Sequence, residues 1–386
     1  MYNFDKIVNR KNTNCYKWDS LTVKYEGVDD IIPMGIADMD FEVCTEIEQA
    51  FKDRIKHPVY GYSLDVNKEL GPIIYDRYKK KGYDIELEDI IIGTGVVYII
   101  NHIVRTFTKQ GDKIILPTPY YTPFGTVIEN NDRIILPCEM KLVDGIYKMD
   151  LESIEDQIDE KTSMFIFCNP HNPTGRIFDE DEMLELVNLC QKHNLLIVSD
   201  EIHSDFIFAK PFIPIININE YAKNNTFTVS SCTKTFNLAG LKVAFCFISN
   251  PELREAYLKA AKHTGLGSVN VFGIEAIKAA YLKGSQWEKE MLEYLRGNRD
   301  YVLNFFEEKL PNIKVTPSEA TYVLWMDFTK SGKDIEEIQN ILINECKVEL
   351  NDGRIYGGYV GFGRMNIALP RCCLIEACDR IYSVFK

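Results

Sequence analysis

The chain has 386 residues, 44 Lys+Arg against 57 Asp+Glu and a formal net charge of −13. That length allows two domains, or one large α/β unit with a smaller companion. With 46% hydrophobic and 26% charged residues, neither a disordered nor a fibrous chain is expected. The acidic balance argues against a nucleic-acid binder, which needs clustered Lys and Arg. No apolar run reaches the ~18 residues that span a bilayer. Met1-Tyr2-Asn3-Phe4-Asp5-Lys6 lacks a basic stretch leading into an apolar core, and the eleven cysteines include no Cys-x-x-Cys. Reduced thiols in a cytoplasmic protein are the expectation.

In chain order, the first 45 residues carry sparse strand and helix signals. From about 85 to 250, short β-branched runs alternate with helical-length stretches. Strands are expected at 90–92, 113–116, 134–136, 164–168, 195–199, 227–230 and 243–248, and helices at 96–108, 180–193 and 251–263. Continuous apolar strands separated by helices predict an α/β fold, a three-layer mostly parallel sheet covered on both faces. Acids at 179–182 open one helix and His193-Asn194 closes it, as the helix dipole and C-cap preferences require. Beyond it, an amphipathic stretch at 286–310 stops at Pro311, followed by short strands at 321–327 and 365–368 and two more helices. The expected division is a large domain at 46–280 and a smaller α+β domain formed by 1–45 with 281–386.

In an open parallel sheet, ligands sit outside the carboxyl ends of the strands, and unusual polar residues recur there. One strand runs into Ser199-Asp200-Glu201-Ile202-His203, and another into Asn169-Pro170-His171-Asn172-Pro173-Thr174-Gly175. A third reaches Ser230-Ser231-Cys232-Thr233-Lys234, and a fourth Gly93-Thr94-Gly95 before a helix. Each has a plain reading as turn or cap. The dinucleotide fingerprint fails because Tyr98 occupies its third glycine position. Free N–H groups at Val96 and Val97 nevertheless suit one phosphate. Lys234 is hardest to explain structurally, since an ammonium after a buried strand needs a partner or a modification. An aldehyde-bearing pyridine with a phosphate tail needs this whole inventory.

The ordered set Asn172-Pro173-Thr174-Gly175, Ser199-Asp200-Glu201 and Ser231-Cys232-Thr233-Lys234-Thr235-Phe236 resembles the fold-type I pyridoxal-phosphate enzymes of the class I/II aminotransferase superfamily. Ala37-Asp38-Met39-Asp40-Phe41, Asp200-Glu201-Ile202-His203-Ser204-Asp205 and the run from Lys234 to Leu241 resemble the cystathionine β-lyase-like C–S lyases within it. The resemblance implies pyridoxal 5′-phosphate as cofactor, with Lys234 as the Schiff-base lysine. Asp200 would pair with the ring nitrogen, Asn172 would bond the ring oxygen, and Tyr121 would stack on the ring face. Gly95, Val96, Val97, Ser231 and Thr233 would hold the phosphate. Arg364 would grip the substrate carboxylate, with Ala37 and Asn172 also at the substrate. Tyr62 would reach the phosphate of a neighbouring subunit, implying a homodimer with shared sites.

Two positions depart from the common pattern: His203 stands where many transaminases have tyrosine, and Lys242 where many have a phosphate-binding arginine. Both are assigned to the cofactor site, although a lysine binds phosphate as a point charge and not as a fork. The implied reaction is β-elimination from L-cystathionine or related cysteine S-conjugates, giving a thiol, pyruvate and ammonia. Lys234 or a nearby acid would protonate the leaving sulfur. Amino-acid transamination is the alternative, because it shares every step up to the carbanion. The scattered histidines lack metal-ligand spacing, so no metal is expected.

Overall fold

The computed structural model describes residues 2–64, 66–264 and 269–386. Its largest sheet has eight strands, in the spatial order Ile90–Gly93, Ala244–Phe247, Thr226–Ser230, Leu196–Asp200, Thr162–Cys168, Lys113–Thr118, Ile134–Val143 and Ile146–Met149. The five strands from Thr226–Ser230 across to Ile134–Val143 are parallel neighbours. Ala244–Phe247 runs antiparallel to the strands on both its sides, and Ile146–Met149 folds back on its predecessor.

Alternate side chains of a strand face opposite ways, and both faces of this sheet are apolar. Met164, Ile166 and Cys168 pack on one side with Ile99, Ile100 and Ile103 of helix Val96–Phe107, while Phe165 and Phe167 join the larger cluster on the other. This two-sided burial is what a continuous apolar strand predicts. The helix Glu180–Lys192 begins with a reciprocal capping box between Asp179 and Glu182.

A second sheet orders Lys314–Val315, Val323–Asp327, Phe362–Asn366 and Asn351–Asp352, all antiparallel. The long helix Ser285–Lys309 and the final helix Arg371–Phe385 belong to the same part of the chain. The N-terminal segment crosses to it: Ile32–Pro33 pairs in parallel with Val348–Glu349. Immediately beyond that pairing lies the 35–41 loop, at the edge where the large sheet's parallel strands end. The expected strand at 365–368 lies earlier, at Phe362–Asn366, because Ile367 and Ala368 instead bond the loops at Tyr322 and Asp40.

Candidate active site

Three adjacent strands deliver their polar sequels to one rim. Cys168 is level with Asp200, and Asp200 with Val229. Beyond the last rungs, the Asn169 amide donates to the Asp200 carbonyl (3.0 Å) and the Glu201 amide to the Val229 carbonyl (2.9 Å). The segments carrying Asn172, Asp200 and Lys234 therefore leave the sheet side by side.

Asp200 is 4% exposed, and its carboxylate accepts the Ile202 amide at 3.1 Å. Burial pushes this carboxyl up to about 7, with the Ile202 hydrogen bond and the Lys234 charge opposing the shift. A buried carboxylate with so little compensation is costly unless a cation joins it. Lys234 sits in the single turn Cys232–Thr235, capped by Ser231, whose Oγ accepts the Thr233 amide at 3.0 Å. Its Nζ donates to the Ala37 carbonyl (2.5 Å). Burial and the Arg364 charge bring the amine down to about 8, against the pull of Asp38 and Asp200.

Arg364 lies on strand Phe362–Asn366 and is 2% exposed. Its Nη1 donates to Asn172 Oδ1 (3.0 Å) and its Nη2 to the Gly35 carbonyl (2.7 Å). Its Nε is buried without a partner, so one donor of the fork is free for an incoming acceptor. The guanidinium also stands over the Tyr356 ring, 5.3 Å from its centroid. Tyr121 caps helix Thr122–Glu129; burial raises its phenol, Arg364 lowers it and Asp200 raises it further. That places it within electrostatic reach of both charged groups.

The other end of the site is built on Gly95, which has φ 77° at the start of helix Val96–Phe107. The first helical bond there runs from the Ile99 amide to the Gly95 carbonyl, so the Val96 and Val97 amides are left over for a ligand. A Cβ on Gly95 would meet Lys242 Cβ at 3.9 Å, which puts the Lys242 backbone beside the helix end. Lys242 also adopts a left-handed conformation (φ 48°), with its ammonium 5.9 Å from the Tyr98 ring centroid. Ser231 Oγ donates to the Val243 carbonyl (2.5 Å) and shares a 2.8 Å hydrogen bond with Thr233 Oγ1. The two hydroxyls thus lie next to Lys242.

His203 is buried, and its Nδ1 has no partner. Burial, then the charges of Lys234 and Arg364, hold the imidazole well below its usual range, so it is neutral. Tyr62 differs from the rest: it is fully exposed in the 57–64 segment. The structure does not bring it to the other site residues of its own chain. Sequence reading missed Tyr322, whose hydroxyl donates to the same Ala37 carbonyl at 3.0 Å. A lone tyrosine at the start of a strand carries no local signal. Asn237 and Asn366 were also passed over, although the first lies in the run from Lys234 to Leu241 and the second two residues past Arg364.

A lysine, a carboxylate, an amide and an arginine converge at one sheet edge. The sequence profile described as "Aminotransferase class I and II" matches residues 29–381. The chain belongs to this family. It is similar to the cystathionine beta-lyase PatB of Bacillus subtilis (strain 168), 35% identical over 382 residues and covering 98% of each chain. Among solved structures of the same architecture, a PLP-bound protein of Clostridium difficile 630 described as a candidate aminotransferase superimposes with TM-score 0.94, at 37% identity over all of both chains. Cystalysin from Treponema denticola, whose crystal structure contains a pyridoxal 5′-phosphate cofactor, superimposes with TM-score 0.93 at 31% identity, covering 100% of this chain and 98% of that one.

Proposed function

We propose that the chain is a pyridoxal-phosphate-dependent β C–S lyase, cleaving L-cystathionine or related cysteine S-conjugates to a thiol, pyruvate and ammonia. One observation carries the reading. A lysine amine and a carboxylate, both moved toward neutrality by burial, meet at one sheet edge with an arginine whose Nε is unpartnered. The resemblance of the whole chain to a cystathionine beta-lyase supports the lyase outcome in particular.

The residues present fit the cofactor. Asp200 would hold the ring-nitrogen proton, which gives this buried carboxylate the cation it lacks. Asn172, whose Oδ1 is occupied by Arg364, has its amide donor for the ring oxygen, and Tyr121 would cover the ring face. The Gly95, Val96 and Val97 amides, with Ser231, Thr233 and Lys242, would hold the phosphate, and neutral His203 would turn its free Nδ1 to the cofactor. When bound, pyridoxal phosphate supplies an aldehyde carbon for the substrate amine and a ring that takes up the electron pair left at Cα.

The chain's own groups do the rest. Arg364 takes the substrate carboxylate, aligning the Cα–H bond toward Lys234, with the Ala37 backbone at the edge of that pocket. A lysine with its pKa at about 8 is neutral in an appreciable fraction near pH 7, so Nζ can accept the α-proton. The Ala37 carbonyl then receives an N–H of the resulting ammonium. The β-sulfur departs with the bond pair and takes a proton from Lys234 Nζ or a neighbouring acid. Overall one water is consumed, the C–S bond is broken, and thiol, pyruvate and ammonium are released.

The assembly is a homodimer with shared sites. Tyr62 and Leu64 are fully exposed, while Arg54 anchors the start of their segment through the His57 and Val59 carbonyls (2.7 and 2.8 Å). Residues 46–280 form the cofactor domain, and 1–45 with 281–386 the smaller one, a division supported by the Ile32–Pro33 pairing with Val348–Glu349. No helix among the described residues is long and apolar enough to cross a membrane. Eleven unpaired cysteines support a reducing compartment such as the cytoplasm.

The test is product analysis. Holoenzyme given L-cystathionine without a keto acid should release pyruvate and free thiol in equal amounts. A strict requirement for a keto-acid acceptor, with no thiol released, would replace the lyase with an aminotransferase.

A further inference from the structure

The peptide unit between Asp38 and Met39 is gripped from both sides. Its carbonyl accepts Asn366 Nδ2 at 2.7 Å, and its N–H donates to Asn237 Oδ1 at 3.0 Å. Asn366 also donates to the Ile36 carbonyl (2.7 Å), and Asn237 Nδ2 to the Met39 and Phe41 carbonyls (3.0 and 2.8 Å). Asn366 lies two residues past Arg364 on the same strand. Asn237 lies three residues past Lys234, in a left-handed conformation (φ 56°). The same loop receives the functional side chains themselves: Lys234 at the Ala37 carbonyl and Arg364 at the Gly35 carbonyl. Each side of the cleft therefore touches the 35–41 loop twice, once with the reacting or anchoring group and once with an asparagine nearby in sequence.

Gly35 shows how closely the loop is seated, since a Cβ there would lie 2.5 Å from Asn351 Oδ1 and 2.7 Å from the Glu349 carboxylate. A lysine has four rotatable side-chain bonds, and a hydrogen bond orients its amine only as well as the acceptor is itself held. The Ala37 carbonyl accepts the Tyr322 hydroxyl directly (3.0 Å), and the chain on its far side is fixed by the Asp38–Met39 peptide.

We propose that Asn237 and Asn366 are positioning residues that work as a pair. Through the Asp38–Met39 peptide they lock the 35–41 loop between the two halves of the site, and so set Lys234 at a fixed place relative to Arg364. The inference rests on the lyase reading for what the positioning serves. The mechanical coupling across the loop does not depend on it.

The experiment is hydrogen exchange at single amides combined with kinetics on cofactor-saturated protein. Asn366→Ala removes no partner of the Met39 amide, whose acceptor is Asn237. If the loop is one unit, exchange at Met39 should nonetheless quicken by about tenfold. The reciprocal variant, Asn237→Ala, sits at a less buried position and should quicken the Asp38 amide, whose acceptor is the Ile36 carbonyl held by Asn366. On L-cystathionine, each single variant should lower kcat/KM by roughly tenfold per active site, counted from the visible cofactor absorbance. The double variant should fall within about twofold of the worse single, because residues acting through one element are not additive. Unchanged exchange at both reporter amides, or a double-variant loss near the roughly hundredfold product of the singles, overturns the pairing. If wild-type protein cleaves no C–S conjugate, the lyase reading fails, and the exchange result alone decides the coupling.

Discussion

At the scale of single residues, the site is a matter of charge placed where water is scarce. Lys234 is brought down to about 8 chiefly by burial, with Arg364 adding to the effect. Relative to an ordinary lysine, that raises its neutral fraction at pH 7 by about 300-fold. The neutral amine is the form that attacks an aldehyde, so its share grows as pH rises and is half the total near pH 8. Capture of pyridoxal phosphate by cofactor-free protein should follow that curve, read from the growth of visible absorbance between pH 6 and 10. A midpoint near the ordinary 10.5 would show that the amine is not desolvated as described. Asn172, Asp200 and Lys234 could be singled out in the sequence because each follows an apolar strand, where a polar or charged group is otherwise a burden, whereas Arg364, inside a strand, rested on the resemblance. Tyr322 was not, since it acts through a loop almost three hundred positions away.

At the scale of elements, the turn carrying Lys234 is fastened to two helices by one buried acid. The Asp205 carboxylate accepts Thr235 Oγ1 (2.6 Å) and pairs with Lys81 (2.7 Å) and Arg77 (3.0 Å). Arg77, from helix Val66–Lys80, in turn pairs with Glu288 of helix Ser285–Lys309 (2.7 Å). Burial opposes the charge on Asp205, but Lys81, Arg77 and Thr235 outweigh it and hold the carboxyl well below its usual range. Removing one partner of a buried ion network typically costs ~3–5 kcal/mol, so Asp205→Asn should lose about 3 kcal/mol in urea unfolding at pH 7. A group with a depressed folded pKa stabilises above its unfolded value, and that share fades as pH falls toward the folded one. The gap between variant and wild type should therefore narrow below about pH 4. Seven of the eight strands of the large sheet were readable from composition, as were helix Glu180–Lys192 with its end signals and helix Ser285–Lys309, but the edge strand Ile146–Met149 was not. Direction was not. The run at 244–247, antiparallel to both its neighbours, is as apolar as the five parallel strands, and only the connection between strands fixes which way each one points.

At the scale of the whole molecule, the role proposed for Tyr62 predicts a site that a lone chain cannot complete. Mixing a Lys234→Ala chain with a Tyr62→Ala chain by joint unfolding and refolding should give hybrid dimers with one intact site each. Random pairing then restores roughly a quarter of wild-type turnover. No gain over the separate variants would mean that Tyr62 serves only its own subunit. Assembly lay beyond periodicity and composition, because an exposed tyrosine in an irregular segment looks like any other loop residue until the buried residues around the site are known.

The placement of the sulfur atoms has a last consequence. Eight of the eleven cysteines are buried, Cys15 and Cys373 are half-buried, and Cys372 is exposed. A catalyst that liberates mercaptans meets the disulfides that dioxygen makes from them, and an accessible protein thiolate attacks such a disulfide, forming a mixed disulfide and expelling one mercaptan. Lining the interior with inaccessible sulfur keeps the scaffold from being scrambled by what it makes, and leaves the start of the final helix as the place where such adducts would gather first.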